Sequence, residues 1–236
     1  VLTYEIEHIN VEKLLELEAK GVEIIPSPKV LQVIQDKGLQ KEFYTNNDLS
    51  TLPYHICSSE ELAAAVNKWP DITFVLKHRK GGYDGKGVQV LTKDRFAALL
   101  QNNDSSLLSE DGYVIEKFLG KVTEVSVIVA VGENEIAAYE PCEMIFDPRS
   151  NLMDYLIAPA NLPKEVVSQC KSLAEAVVTK FQSKGLFAVE LFVDENSEVY
   201  INEIAPRPHN SGHHTIESTY TSQYVQLNRI LLSLPL

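Results

Sequence analysis

Apolar and polar positions divide the chain into strand-like and helix-like runs that follow one another in near alternation. The segment VLTYEIEHI (1–9) reads as a strand, Asn10 caps a helix VEKLLELEAK that Gly21 ends, and VEIIP reads as a second short strand. Ser27-Pro28 opens the next helix with proline at its first position, and Leu31, Ile34 and Leu39 give that helix a buried side. A strand is expected over 51–56, and Ser58-Ser59-Glu60-Glu61 opens a helix ELAAAVNKW. Strands at 72–78 and 88–91 flank a glycine-rich loop at 81–87, and a helix follows over 94–101. Further strands are expected at 113–118 and 124–131, and a long amphipathic helix at 163–182, stopped by Gly185. Two β-rich runs, 186–193 and 199–204, flank a turn-rich DENSE segment and read as a hairpin, and Ser222 caps a last helix. Strands and helices in this order, with several hairpins, predict an α+β fold of more than one lobe.

The last hairpin carries the strongest chemical signal. With Asn196-Ser197 as its two-residue turn, counting outward sets Glu190 opposite Glu203. Facing carboxylates destabilise a sheet; at about 5 Å and an effective dielectric near 20 the repulsion is roughly 3 kcal/mol. A solvent-facing pair would be screened by water and salt. Here both acids interrupt apolar runs, and a polar cluster (Asn202, Arg207, His209, Asn210, Ser211, His213, His214) surrounds the second. A divalent cation with oxygen ligands, held by Glu190 and Glu203, accounts for the arrangement.

Composition narrows the classes. The chain has 236 residues, 44% hydrophobic and 23% charged, as in ordinary globular proteins. Its formal net charge of −12 argues against a surface built for nucleic acid, which needs clustered Lys and Arg, but leaves room for a local basic pocket for a small phosphorylated ligand. Cys57, Cys142 and Cys170 are far apart and in no metal-ligand spacing, which fits buried thiols in a reducing cytoplasm. No apolar run approaches membrane-spanning length. Val1 opens on a strand-like segment and RILLSLPL closes on an apolar run, so the chain is expected to be a piece of a longer protein.

The segment FVLKHRKGGYDGKGVQVL holds a second site. Glycines let backbone amides approach phosphate oxygens, and nearby lysines add charge. The Walker loop needs a Gly five residues before Gly85 and Ser or Thr after Lys86, but Lys80 and Gly87 stand there. The dinucleotide fingerprint fails too, since this loop leads into a strand. It therefore reads as a flap joining two adjacent strands, with Lys77 on the strand face opposite Ile72, Phe74 and Leu76, able to reach a phosphate. Glu116 and Glu124, at strand ends, suit an adenine amino group or ribose hydroxyls, though alone each would read as a surface acid.

Taken in order, Lys77, the GGYDGKG flap, Glu116-Lys117-Phe118-Leu119, Glu124, Glu190 and Glu203 resemble the ATP-grasp superfamily. Within it, GGYDGKG (81–87) and NEIAPRPHNSGH (202–213) resemble the N5-carboxyaminoimidazole ribonucleotide synthase family, as do YEIEH (4–8), QDK (35–37) and TSQ (221–223). The resemblance implies two α+β lobes clamping ATP. It also implies a remnant of an N-terminal α/β domain at 1–26 and an ATP-grasp domain at 27–236, its flap-bearing lobe at about 51–115 and its metal-bearing lobe at about 116–236. The small C-terminal domain of the family would be missing.

The implied activity is ligation: ATP, bicarbonate and 5-aminoimidazole ribonucleotide give the N-carboxylated ribonucleotide in purine synthesis. Implied nucleotide contacts are Lys37, Lys77, Gly82, Tyr83, Asp84, Gly85, Lys86, Gly87, Glu116, Lys117, Phe118, Leu119, Glu124, Asn202 and Glu203. Mg²⁺ (or Mn²⁺) would sit on Glu190 and Glu203, and Tyr83, Asp84, Lys86, Arg207 and His209 would surround the ribonucleotide and carboxyphosphate. Glu7 is a further candidate contact for the ribonucleotide. A homodimer in the cytoplasm is the expected assembly, with neither nucleic acid nor membrane as partner. The chain departs from the pattern at Ala205, where many ATP-grasp enzymes carry a metal-binding Asn, at Phe146 in place of a frequent His, and at Val88 in place of a frequent Gln. Alternatives are another ATP-grasp ligase, of the glycinamide ribonucleotide transformylase or biotin carboxylase type, and a nucleotide-binding module without catalysis.

Overall fold

The computed structural model of the protein describes residues 1–81, 87–147 and 152–236. Two antiparallel sheets organise it. The first holds β1 (Tyr54–Cys57), β2 (Thr73–His78), β3 (Val88–Thr92) and β4 (Tyr113–Lys117) in the order β1-β4-β2-β3. The second holds β5 (Thr123–Val131), β6 (Ile136–Ala138), β7 (Cys142–Phe146), β8 (Met153–Ile157), β9 (Gly185–Val193) and β10 (Val199–Ala205), ordered β10-β9-β5-β7-β8 with β6 beside β5. The helices are α1 (Val11–Ala19), α2 (Pro28–Ile34), α3 (Lys37–Asn46), α4 (Leu62–Lys68), α5 (Lys93–Gln101), α6 (Lys164–Lys180), α7 (Thr215–Ser218) and α8 (Gln223–Leu231). This is the expected α+β architecture in two lobes.

Each lobe has its own core. In the first, Leu62 and Val66 of α4 and Phe96 and Leu99 of α5 pack on Phe74, Leu76, Tyr113 and Ile115. In the second, Cys170, Ala174, Val177 and Val178 of α6 cover Val125, Val127, Phe187, Val189 and Leu191. Burying a side chain such as Leu191 contributes about 1.5–3 kcal/mol. The opposite face of β5 and β9 presents Ile128, Leu186 and Ala188 to Leu227 and Ile230 of α8. With both faces covered, β9 is apolar at odd and even positions alike. Glu190 shares the α8-facing side with Leu186 and Ala188 but borders an open cavity instead. No helix among the described residues is long and apolar enough to cross a membrane.

Several expectations are revised. Residues 1–9 form no strand: Leu2 makes one parallel bridge to Ile24, and no further strand lies alongside to extend a ladder. The helix begun at Ser27 breaks at Asp36, which is extended (φ −127°, ψ 109°) and accepts hydrogen bonds from Gly38 N and Leu39 N as the cap of α3. That cap separates Leu39 from Leu31 and Ile34. Ile72 lies just outside β2 and is exposed, while Phe74 and Leu76 are buried as expected. The strand expected over 51–56 begins at Tyr54; Thr51 instead bridges Ile201 in the other lobe. β6 and β8 are short and have no fully buried residue, and β7 alternates only over Cys142–Met144, too short a run to mark a strand in the sequence.

Glu203 does face Glu190, but by another route. The outer hairpin pairs Val199 with Val193 and Ile201 with Leu191, one residue off the register that an Asn196-Ser197 turn would give. A β-bulge between Ile201 and Glu203 then inserts Asn202 and restores the pairing of Glu203 with Glu190. The bulge also lets consecutive polar side chains, Asn202 and Glu203, both reach the cavity.

Candidate active site

A cavity of about 750 Å³ lies between the two sheets. From α3 comes Lys37, the first residue after its cap. The helix is tied to β10 by Gln40, whose Oε1 accepts the Ile204 amide at 3.2 Å, and Lys37 Nζ donates to Glu203 Oε2. From β2 comes Lys77, whose alternation with Phe74 and Leu76 turns it away from the core. Its Nζ donates to Asn202 Oδ1 at 2.9 Å, joining the first sheet to the bulge of the second.

Glu116 of β4 lies behind Lys77. Its carboxylate is only 1% exposed and sits between Lys77 Nζ (3.0 Å) and Lys41 Nζ (3.1 Å). With another of its three N–H groups Lys41 Nζ donates to Thr51 Oγ1 at 2.8 Å. Burial favours the neutral acid, but the two lysines outweigh it and hold Glu116 below the usual carboxylate range. This geometry gives Glu116 the work of fixing Lys77 rather than an open approach to a base. Lys41 escaped the sequence reading, although its spacing of four from Lys37 puts both on one helical face.

The acid pair is polarised. Burial, reinforced by the charge of Glu203, pushes Glu190 above the usual range, whereas Lys37 holds Glu203 below it. Burial works against the charge on Lys37, but Glu203 more than compensates. Two carboxylates and the Asn202 carbonyl form a hard oxygen set that fits Mg²⁺, which takes one or two protein carboxylates and completes its shell with water and substrate phosphates. No group of three or more His, Cys, Asp or Glu placed to hold a metal exists among the described residues, so protein ligands alone would not saturate such an ion.

Beyond the acids, Arg207 Nε donates to Glu7 Oε1 at 2.9 Å, and burial, opposed by Arg207, raises the pKa of Glu7. His209 caps a short 3₁₀ turn, Asn210–Gly212. Its backbone is clamped by Gln223, which accepts from His209 N at 3.0 Å and donates to His209 O at 2.8 Å. Burial and the neighbouring Arg207 charge lower its imidazole to about 4. Burial raises Glu124 above the usual range.

Lys37, Lys77, Glu116, Lys117, Phe118, Leu119, Glu124, Glu190, Asn202, Glu203, Arg207 and His209 all line the one cavity. Gly87 does not: at φ +77° it ends the flap, and its carbonyl accepts the His78 amide at 2.8 Å. Gly82, Tyr83, Asp84, Gly85 and Lys86 lie outside the described residues. Phe146 and Ala205 border the cavity, as does Val88. Three polar residues behind the cavity, Ser126, Ser211 and Gln223, are buried; Ser211 and Gln223 lay in the motifs NEIAPRPHNSGH and TSQ, whereas Ser126 carried no sequence signal.

Two lobes meeting around Lys77 of one sheet and paired acids of the other, with Lys37 added from α3, define an ATP-grasp architecture. The ATP-grasp domain model matches residues 42–224, and the chain belongs to that family. A phosphoribosylaminoimidazole carboxylase of Saccharomyces cerevisiae is 36% identical over 242 residues, covering 100% of this chain and 41% of that protein. The crystal structure of N5-carboxyaminoimidazole ribonucleotide synthetase from Thermotoga maritima matches with a TM-score of 0.84 at 35% identity, over 100% of this chain and 59% of that one. An Aspergillus clavatus N5-carboxyaminoimidazole synthase, solved with ADP and 5-aminoimidazole ribonucleotide, matches with a TM-score of 0.87 at 29% identity, over 100% and 60% respectively. The chain spans about two fifths of the length of the curated carboxylases it matches.

Proposed function

We propose that the chain carries the ATP-binding and carboxylating core of an N5-carboxyaminoimidazole ribonucleotide synthase. The observation that carries this reading is the convergence, in one cavity, of Lys37 and Lys77 with the acids Glu190 and Glu203 and, beyond them, Arg207 and His209. Bicarbonate is a poor electrophile. In the proposed reaction its oxygen attacks the γ-phosphorus of ATP, ADP leaves, and carboxyphosphate forms. The exocyclic amine of 5-aminoimidazole ribonucleotide then attacks the carboxyl carbon, and phosphate departs with the bond electrons.

Each residue has a role that its geometry supports. Lys37 and Lys77 hold phosphate oxygens, with Glu116 keeping Lys77 aimed. Backbone groups of Lys117 to Leu119 meet the adenine, and Glu124 meets the ribose. Glu190 and Glu203 hold Mg²⁺, which when bound offsets the charge gathered on the phosphates. Lys37, now on Glu203, is then free to turn to phosphate. Arg207 offers a planar fork to an anionic intermediate, and its contact with Glu7 keeps that fork at the ribonucleotide end. Enclosure between the lobes shields carboxyphosphate from water.

The test separates nucleotide handling from carboxylation. Arg207→Ala should leave Mg–ATP affinity within a few-fold, while ribonucleotide-dependent ADP formation falls by about 10² or more. ADP and fixed labelled bicarbonate are measured side by side, and ADP should exceed fixed carbon in the variant. A parallel loss of ATP affinity and turnover would instead place Arg207 in the nucleotide site. Stimulation by glycinamide ribonucleotide with formate would favour the rival ligase.

A further inference from the structure

Behind the acid pair lies a chain of buried hydroxyls. Ser126, in the middle of β5, is 1% exposed, and Ser211, two residues after His209, is 0% exposed. Their Oγ atoms are 2.7 Å apart, and Ser211 Oγ is 2.8 Å from His209 Nδ1. The other ring nitrogen, Nε2, faces Glu190 Oε1 at 3.6 Å. Each hydroxyl has one hydrogen to donate, so the direction of this chain fixes which imidazole nitrogen carries the proton.

Two directions are available. In one, Ser126 donates to Ser211, Ser211 donates to Nδ1, and the ring proton sits on Nε2. Every hydroxyl hydrogen then has an acceptor. In the other, Nδ1–H donates to Ser211, Ser211 donates to Ser126, and the Ser126 hydrogen is left over. Among the described residues Ser211 Oγ is the one hydrogen-bond partner of the Ser126 hydroxyl, so that hydrogen would be buried without an acceptor, a costly defect. A second observation agrees. The backbone N–H of Ser211, whose shorter bond goes to Asn210 Oδ1 at 2.9 Å, also points at Nδ1 at 3.4 Å, which requires a lone pair there. The Gln223 clamp on the His209 backbone fixes where the ring starts from.

We propose that Ser211 and Ser126 are positioning residues that hold His209 as the Nε2–H tautomer, so that the ring presents a hydrogen-bond donor, not a lone pair, beside Glu190. The assignment deepens, and rests on, the function proposed above. A neutral donor there suits the acceptor oxygens of bicarbonate or carboxyphosphate, whereas a lone pair would repel them. Held this way, Nε2 of His209 is neither a metal ligand nor a proton acceptor.

The test is a long-range proton–nitrogen correlation spectrum of the full chain labelled with ¹⁵N-histidine, at neutral pH. The His209 signal, assigned by its loss in His209→Gln, should show a protonated Nε2 and a bare Nδ1. A protonated Nδ1 in the wild-type protein overturns the proposal. Ser211→Ala should yield a mixture of the two tautomers and a kcat for ribonucleotide-dependent ADP formation about tenfold lower, with KM for ATP within about twofold. An unchanged tautomer in that variant would also overturn it. Once the signal is assigned, the wild-type spectrum needs no turnover and does not depend on how Ser211→Ala folds. A protonated Nε2 without bicarbonate-dependent turnover therefore supports the tautomer and counts against the function proposed above.

Discussion

Lys41 is 2% exposed beside Glu116, and burial pushes its pKa from 10.5 down to about 8, with Glu116 working the other way. The unfolded chain returns it to the ordinary value. Between these two values the unfolded chain binds more protons than the folded one, so this group makes stability rise with pH across that window. Its contribution is fully present above the unfolded pKa and is lost as pH falls through about 8. One pKa unit is about 1.4 kcal/mol, so the whole rise amounts to at most about 3.5 kcal/mol. Denaturant midpoints measured from neutral pH into that alkaline window should rise more steeply for wild type than for Lys41→Met; equal slopes would show that Lys41 is not a buried charge. The apolar pattern could not reveal this residue, because a lysine in a polar helix segment reads as solvated. Glu190 and Glu203 were legible for the opposite reason: each breaks an apolar run.

Gly112 and Gly120 flank β4 and take similar left-handed conformations, with φ +84° and +76°. A Cβ on Gly112 would lie 2.5 Å from the carbonyl oxygen of Cys57, whereas one on Gly120 would meet nothing within 4 Å. Gly120→Ala should therefore cost only the backbone penalty, about 1–2 kcal/mol. Gly112→Ala adds a clash with backbone and should cost clearly more, in the range of the larger single-substitution effects, about 3 kcal/mol. Thermal or urea unfolding of the two variants decides; equal losses would mean that β1 shifts freely to make room. The same elements bound what sequence can say. The helices α1 and α8 start at the expected caps Asn10 and Ser222, and α5 and α6 fall within two residues of their expected ranges. The hairpin of β9 and β10 was legible as a hairpin, but its register was not. Counting from the turn was one residue out, and the unseen bulge at Asn202 cancelled the error. A bulge leaves no mark in a period-two pattern, since it is stabilised by partners far away in sequence, here Lys77 at Asn202 and Lys37 at Glu203.

Those partners also join the two lobes: Lys77 reaches from β2 to Asn202, and the β1-proximal Thr51 bridges Ile201 of β10. A nucleotide bound in the cavity would touch both lobes at once and be absent from the unfolded chain, so it should stabilise the fold by mass action. At a hundredfold excess over its Kd the gain is about 2.7 kcal/mol, or a Tm rise of roughly 5–10 °C for a chain of this size. If Glu190 and Glu203 hold a metal that phosphate oxygens complete, the rise should be large with Mg–ATP, much smaller with ATP and a chelator, and slight with Mg²⁺ alone. Glu203→Gln removes one carboxylate while keeping its shape. It should retain the fold and lose most of the Mg-dependent part of the rise, and Glu190, freed of the neighbouring charge that helps to push it up, should bind protons less readily. Differential scanning of wild type and variant under the three conditions checks each step. An equal rise with and without chelator would remove the metal from the acid pair, and no rise with any nucleotide would mean that the cavity between the sheets is not where ATP binds.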